Sequence, residues 1–462
     1  MTLIKSISGI RGTIGGPVGD NLTPIDIVRF SAAYGQWLIK RHAGVSCKVV
    51  IGRDARKSGA MLSSLVTATL QGMGIDVLDA GLSTTPTVEM AVVRERAQGG
   101  IILTASHNPG QWNALKLLNE RGEFISSQDG AEVLAFAEKE DFGFADVDAL
   151  GSVQELEDAI ESHIDAIVQL PLVDTHTIAN ANLKVVVDGV NSTGGLALIP
   201  LLERLGVDEV IPMYCEPTGE FPHNPEPLPE HLTEVSAKVV ESGADLGIVV
   251  DPDVDRLALI SEDGTMFGEE YTLVAVADYV LSRNPGNTVS NLSSSRALRD
   301  VTRKYNQQYR AAAVGEVNVV EAMKHSNAVI GGEGNGGIIY PELHYGRDAM
   351  VGIALFLSHM ARSGKTASDL RKALPAYYMT KRKIELKPGM DVDALLLTIK
   401  DSYKDLEPNT TDGVKIDFED GWVHLRKSNT EPIIRIYSEG ISESKAIQLA
   451  DEIGRRIQAE IG

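Results

Sequence analysis

Short runs of Val, Ile and Leu recur along the chain, each ending in a turn rich in Gly or Asp and followed by a helical pattern. KVVIGRDARKSG (48–59) precedes AMLSSLVTATLQGMG (60–74), and LKVVVDGVNSTGG (183–195) precedes LALIPLLERLG (196–206). GIILTASHNPG (100–110), LGIVVDPDVDR (246–256) and AVIGGEGNGG (328–337) repeat the theme. Strands alternating with helices at this spacing predict α/β layers built from crossover units. The runs are near-continuous in apolar residues rather than alternating, as in strands covered on both faces. Ligands of such sheets bind beyond the carboxyl ends of strands, where the unusual loops of this chain fall. The acidic stretch after EKEDFGFADVDALG (138–151) predicts a link near 155, and the hairpin-like EDGT after DPDVDRLALI predicts a second boundary near 258. The last section changes style. GVKIDFEDGWVHLRKSNTEPIIRIYSEG (413–440), with its tight Glu-Asp-Gly turn, and a closing helix over 442–460 predict a small α+β domain.

Size and charge narrow the classes of function. The chain has 462 residues, more than the roughly 250–300 that one hydrophobic core supports, so two to four domains are expected. Net charge is −21, from 43 Lys and Arg against 64 Asp and Glu. Duplex nucleic acid and anionic membranes need a basic face, so neither is an expected partner. A phosphorylated small molecule needs only one local cluster of Arg and Lys. Cys47 and Cys215 form no CxxC pair, which suits a reducing compartment. MTLIKSISGIRG lacks a signal peptide's apolar stretch, and no run approaches the ~20 apolar residues of a membrane span, so a cytoplasmic protein is expected.

Four loops carry candidate chemistry. In TASHNP (104–109) Ser106 and His107 are adjacent. Successive side chains diverge, so they are not expected to act as nucleophile and base, and the stretch does not match the GxSxG elbow. If Ser106 reacts, it carries a group; otherwise this is a strand-end turn in which Ser106 and Asn108 bond their own backbone. In DPDVDR (251–256) the side chains of Asp251, Asp253 and Asp255 would repel one another without a cation, and Mg²⁺ prefers such oxygen ligands, with a solvated acidic turn as the alternative. An EF-hand is excluded, because Arg256 stands where that loop requires Gly. Arg256 would suit a phosphate oxygen bridging to the metal. GGEGNGG (331–337) is neither a Walker loop nor a dinucleotide fingerprint. Its Glu333 and Asn335 suit vicinal sugar hydroxyls, with a flexible connector as the alternative. RKSNTEPIIRIYSE (426–439) gathers Arg426, Ser428, Asn429, Thr430 and Arg435 into a phosphate cradle or a basic hairpin edge. IGRDARKSG and SGIRG add Arg53, Arg56 and Arg11, with Asp54 placed to fix an arginine.

Taken in order, TASHNP with NALK (113–116), DPDVDR, GEGNGG and RKSNTEP resemble the motifs of the α-D-phosphohexomutases, which include phosphoglucomutases, phosphomannomutases and phosphoglucosamine mutases. The resemblance implies an α/β fold of three related mixed-sheet domains plus a smaller C-terminal α+β domain around a central cleft. The expected domains are 1–155 with a phosphoserine loop, 156–257 with a metal loop, 258–372 with a sugar loop and 373–462 with a phosphate loop. It also implies that Ser106 is the phosphorylated residue and, with Asp251, Asp253 and Asp255, forms the Mg²⁺ site. Glu333, Asn335 and Gly336 fall in the sugar loop. Arg426, Ser428, Asn429, Thr430 and Arg435 fall in the loop that grips the phosphate that is not reacting. Arg256 would neutralise the transferring group, Lys116 and Arg11 would position it and move protons, and His107 would position it. The general base is left open.

The implied reaction is an intramolecular phosphotransfer interconverting hexose or hexosamine 6-phosphate and 1-phosphate. It runs through a phosphoserine enzyme and a bisphosphate, with hexose 1,6-bisphosphate as activator. Glucosamine phosphate is the first expected substrate, and glucose or mannose phosphate the second. A metal-dependent sugar phosphatase and a non-catalytic sugar-phosphate sensor compete, but a second phosphate grip has no use in a hydrolase. Three positions depart from the family pattern: Asn335 stands where Ser is usual, Gly337 where His is frequent, and Asn429 where Gly is usual. A homo-oligomer is left open.

Overall fold

The near-continuous apolar runs become buried strands. The computed structural model describes residues 2–6, 9–386, 390–427 and 433–461. It divides into two units, Met1–Thr272 with Asn335–Leu370, and Leu273–Gly334 with Arg371–Gly462.

The first unit opens with a seven-stranded sheet of β1 (Ile4–Ser6), β2 (Gly9–Thr13), β3 (Lys48–Arg53), β4 (Asp76–Leu82), β5 (Gly99–Leu103), β6 (Trp112–Leu118) and β7 (Val153–Glu155), in the order β1-β2-β6-β5-β3-β4-β7. Strands β5, β3, β4 and β7 run parallel, while β6 turns back antiparallel to β5 and brings β2 to its other side. The helix Pro24–Arg41 begins on a capping box between Thr23 and Asp26, with Pro24 pre-set for the first turn. It packs Tyr34 and Trp37 on a core that includes Val49, Ile51, Ile101 and Leu115.

A second mixed sheet holds β8 (Lys184–Asp188), β9 (Glu209–Met213), β10 (Leu246–Val250) and β11 (Leu257–Ser261), in the order β11-β10-β8-β9. Strands β10 and β11 form a hairpin, buried along both strands, and DPDVDR is the loop between them. The expected EDGT turn follows β11, where Ser261 N donates to Thr265 O at 2.8 Å and Ile260 bridges antiparallel to Met266.

In the second unit β12 (Asn287–Asn291) lies between β13 (Tyr309–Ala312) and β14 (Ala328–Glu333), parallel to both. The short β15 (Gly337–Ile339) returns to the first unit and leads to the buried helix Ala349–Ser363. The C-terminal sheet is antiparallel throughout: β16 (Tyr378–Glu385), β17 (Val414–Phe418), β18 (Gly421–Lys427) and β19 (Ile433–Gly440), in the order β16-β19-β18-β17. The closing helix Glu443–Ile461 packs Leu449, Ile453 and Ile457 onto it. These are the α/β sheets and the C-terminal α+β element that the sequence predicts. Ser106, Asp251 and Glu333 stand at or just beyond the carboxyl ends of β5, β10 and β14. Among the described residues no helix is long and apolar enough to cross a membrane.

Candidate active site

Ser106 has φ of 48°, a left-handed conformation that costs a residue other than glycine and persists only when its surroundings impose it. Arg56 imposes it. This guanidinium is 1% exposed. Its Nε donates to Asp54 Oδ2 at 2.9 Å, and Nη1 donates to the carbonyls of Pro109 at 2.7 Å and Trp112 at 3.0 Å. Its Nη2 donates to the carbonyls of Ser106 and Asn108. Thr104 adds a second tie, accepting from Ser106 N at 2.9 Å and donating to Asp54 Oδ2 at 2.6 Å. Asp54 therefore fixes an arginine, and that arginine fixes the serine turn. Replacing Arg56 with Met should lower the thermal-unfolding midpoint by several degrees, because breaking a buried ion pair costs about 3–5 kcal/mol. An unshifted midpoint would refute this role.

Ser106 Oγ donates to Asp251 Oδ2 at 2.5 Å. His107 Nδ1 lies 3.4 Å from the same Oγ. The expectation that the two side chains diverge is thus corrected: within the turn that Arg56 clamps, the hydroxyl and the imidazole come within hydrogen-bond distance. Burial and the nearby Arg256 push His107 down to about 2, so its ring is neutral and a weak base.

The acidic loop carries its own strain. Val254, fully buried and β-branched, has φ of 63°, a marked departure for its residue type. Hydrogen bonds from Val254 N to Asp251 O at 3.1 Å and from Ala349 N to Val254 O at 3.2 Å hold it. Asp251, Asp253 and Asp255 are all 0% exposed, and one ligand atom from each lies within 4.8 Å of the others. Asp251 Oδ1 accepts from the amides of Asp255 and Arg256, both at 3.2 Å. Asp253 Oδ2 accepts from Lys116 Nζ at 2.7 Å and Thr85 Oγ1 at 2.5 Å. Asp255 Oδ2 accepts from Arg347 Nη2 at 2.7 Å and Lys116 Nζ at 3.3 Å. Oδ1 of Asp253 and Oδ1 of Asp255 are buried with no hydrogen-bond donor.

Burial, and then Asp253 and Asp255, raise Asp251 well above the usual carboxylate range. Burial opposes ionisation of Asp253 too, but the Lys116 ammonium outweighs it and holds that carboxyl low. Burial likewise opposes the charge on Lys116, and Asp253 and Asp255 override it and raise the ammonium. Buried acceptors without donors are costly unless something positive satisfies them. An all-oxygen donor set with bare buried atoms fits a hard divalent cation.

Arg11 on β2 lies across from Ala114 on β6, the strand that carries Lys116. Its pKa is depressed by burial and then by Arg256 and Arg347. The first unit therefore gathers Ser106, His107, Arg11, Lys116, Arg256 and the three aspartates. It adds Arg347, which sequence reasoning did not select; the only sequence signal for it is a charged Arg-Asp pair before an apolar helix.

The GGEGNGG loop begins in the second unit. Glu333, 5% exposed, accepts from Asn291 Nδ2 at 2.8 Å and Gly315 N at 3.1 Å. It continues into the first unit, where Asn335 Oδ1 accepts from Gly337 N at 3.2 Å. Gly336 has φ of 84° and touches β11: a Cβ there would lie 2.3 Å from Leu257 O. In the second unit Arg426 on β18 pairs directly with Arg435 on β19, which faces Lys383 on β16 from its other side. Like charges opposite one another repel, and this row suits an anion. Asp412 Oδ2, 2.9 Å from Arg426 Nε, offsets one of them. Lys383 was missed, although KRK (381–383) could have marked it. Ser428, Asn429 and Thr430 lie outside the described residues.

The chain matches the four sequence-family models of phosphoglucomutase/phosphomannomutase: alpha/beta/alpha domain I over residues 3–144, domain II over 161–264, domain III over 268–378 and the C-terminal domain over 381–455. It is 38% identical to a phosphoglucomutase/phosphomannomutase of Thermococcus kodakarensis, covering 97% of this chain and 98% of that protein. It is 32% identical to a phosphoglucosamine/phosphogalactosamine mutase of Sulfurisphaera tokodaii, covering 98% of each. The fold matches the crystal structure of a phosphoglucomutase/phosphomannomutase family protein from Burkholderia thailandensis with a TM-score of 0.85 at 26% identity, over 99% of this chain and 98% of that one. Matched from end to end in all four domain types, the chain belongs to the phosphoglucomutase/phosphomannomutase family and is a phosphohexomutase.

Proposed function

We propose that the protein interconverts the 6-phosphate and 1-phosphate of a hexosamine through phosphoserine at Ser106. The observation that carries this reading is the hydroxyl of Ser106 at 2.5 Å from Asp251, inside a buried triad of carboxylates. Asp251, Asp253, Asp255 and an oxygen of the phosphorylated Ser106 would hold Mg²⁺. Bound there, the ion stabilises the negative charge of the phosphoryl group in transfer. In the first half-reaction the P–O bond at Ser106 Oγ breaks, a new P–O bond forms at a free sugar hydroxyl, and the proton of that hydroxyl ends on Ser106 Oγ. The bisphosphate turns over, and Ser106 takes the other phosphate back. Arg256 and Arg11 neutralise the moving group, Lys116 positions it between two carboxylates, and neutral His107 orients it; in phosphoryl transfer, positioning and charge supply most of the catalysis. Glu333 and Asn335 bind sugar hydroxyls over the backbone of Gly336. Arg426 and Arg435, with Ser428, Asn429 and Thr430, grip the phosphate at rest. Hexose 1,6-bisphosphate would prime the serine, in the cytoplasm.

Hexosamine phosphate stands first because the Sulfurisphaera relative bears an amino-sugar name over its whole length. Glucose or mannose phosphate is the second reading, favoured by the Thermococcus relative. Turnover of glucosamine, glucose and mannose phosphates, each with its 1,6-bisphosphate, tests both. The expected result is isomer without release of inorganic phosphate and the highest kcat/KM on glucosamine phosphate. Stoichiometric phosphate without isomer would establish a phosphatase instead.

A further inference from the structure

We infer that Arg347, admitted by the missing side chain of Gly337, is the built-in counter-ion that sets the cation affinity of the acidic triad. This rests on the cation site proposed above. Arg347 is 8% exposed and its Nη2 donates to Asp255 Oδ2 at 2.7 Å. The same oxygen takes Lys116 Nζ at 3.3 Å, and Arg256 Nε lies 3.8 Å from Asp255 Oδ1. Lys116, Arg347 and Arg256 thus set three positive charges beside Asp253 and Asp255. A divalent cation arriving at the triad meets that positive charge and is held weakly. A phosphoryl group on Ser106 would add negative charge and tighten it, so the arginine couples cation binding to the loaded serine.

Two features build the seat of this arginine. A Cβ at Gly337 would lie 2.4 Å from Arg347 Cδ and 3.1 Å from Cγ, both atoms of a flexible stem, with Asn335 Oδ1 next at 3.2 Å. Gly337 is not among the positive-φ glycines, so its backbone does not demand glycine; the stem of Arg347 does. The neighbouring Asp348 is bolted down. Its Oδ1 caps the helix Ala349–Ser363 through Met350 N at 2.8 Å and Val351 N at 3.2 Å. Its Oδ2 sits between His163 Nε2 at 3.0 Å and His344 Nε2 at 3.3 Å. His344 Nδ1 in turn lies 3.3 Å from Glu89 Oε2, on the helix Thr85–Arg94 whose first residue holds Asp253. The main chain that carries Arg347 is thereby tied to the helix that shapes the triad.

The test is Mn²⁺ binding to the metal-stripped, unphosphorylated full-length protein, read by electron paramagnetic resonance without substrate. Arg347→Gln should tighten Mn²⁺ binding by about tenfold or more, since a unit charge a few ångströms away is removed from a poorly solvated site. Gly337→Ala should tighten it similarly by displacing the arginine, and the double variant should bind no tighter than either single one. Arg347→Lys, which keeps the charge, should bind close to the parent. A variant that merely disturbs the fold binds more weakly, and weaker or unchanged binding in folded Arg347→Gln overturns the inference. Additive tightening in the double variant overturns the role of Gly337. A parent that binds no Mn²⁺ overturns the cation site and this inference together. Tightened binding in a protein without mutase turnover leaves the inference standing and removes the proposed reaction.

Discussion

Ser106→Ala should abolish mutase turnover, by more than about 10⁴-fold, as expected when a covalent nucleophile is removed. The fold should survive. Arg56 grips the carbonyl of residue 106, not its side chain, and Thr104 accepts from its amide. The substitution deletes the contacts of the hydroxyl to Asp251 and His107, and no core packing. Initial rates with the bisphosphate present, together with intact-mass analysis for a phosphate adduct, check this. An active alanine variant, or an adduct that persists on it, would move the nucleophile elsewhere.

Asp253→Asn should lower kcat by about 10³-fold or more, because the cation supplies several kcal/mol of charge stabilisation in the transition state. Asparagine keeps the shape of a side chain that is 0% exposed and can keep the contact to Thr85. It removes the charge that holds Lys116 at 2.7 Å and one of the two bare buried carboxylate oxygens. The KM for the sugar phosphate should move far less, since the proposed grip on the resting phosphate uses Arg426 and Arg435. Chelation should silence the parent and added Mg²⁺ restore it. Activity that persists in the asparagine variant would remove the cation from the reaction.

The prominence of DPDVDR in the sequence has a simple physical basis: three carboxylates on alternate residues cannot be explained by local energetics, so the cluster points to a partner from outside the loop. That partner is split among distant elements. Lys116 comes from β6, Thr85 from the start of a helix and Arg347 from the turn after β15. Only Lys116 was anticipated among them. Thr85 shows no local pattern and Arg347 only an Arg-Asp pair before an apolar helix, because their meaning lies in what they face across the fold.

The serine loop divides in the same way. TASHNP after an apolar run marks a strand end carrying a hydroxyl, and β5 ends at Leu103 as that pattern implies. The clamp by Arg56 is not legible in IGRDARKSG, since a guanidinium that satisfies four distant carbonyls resembles a surface cation in one dimension. The approach of His107 to Ser106 departs from the expected divergence, because both side chains are held in a turn whose clamp, Arg56, lies fifty residues away.

By itself, then, the sequence determined the strands, the order of the four motif loops, the family and the residues at the tips of the loops. These follow from side-chain periodicity and turn chemistry, which act between residues near one another along the chain. The tertiary structure alone decided which oxygen of each aspartate is occupied and which arginine braces the serine. It also decided why Gly337 bears no side chain and how Arg426, Arg435 and Lys383 come into one row. Such outcomes rest on strand register and on two strained torsions, at Ser106 and Val254. Both are imposed by packing between segments far apart in sequence, where no local preference acts.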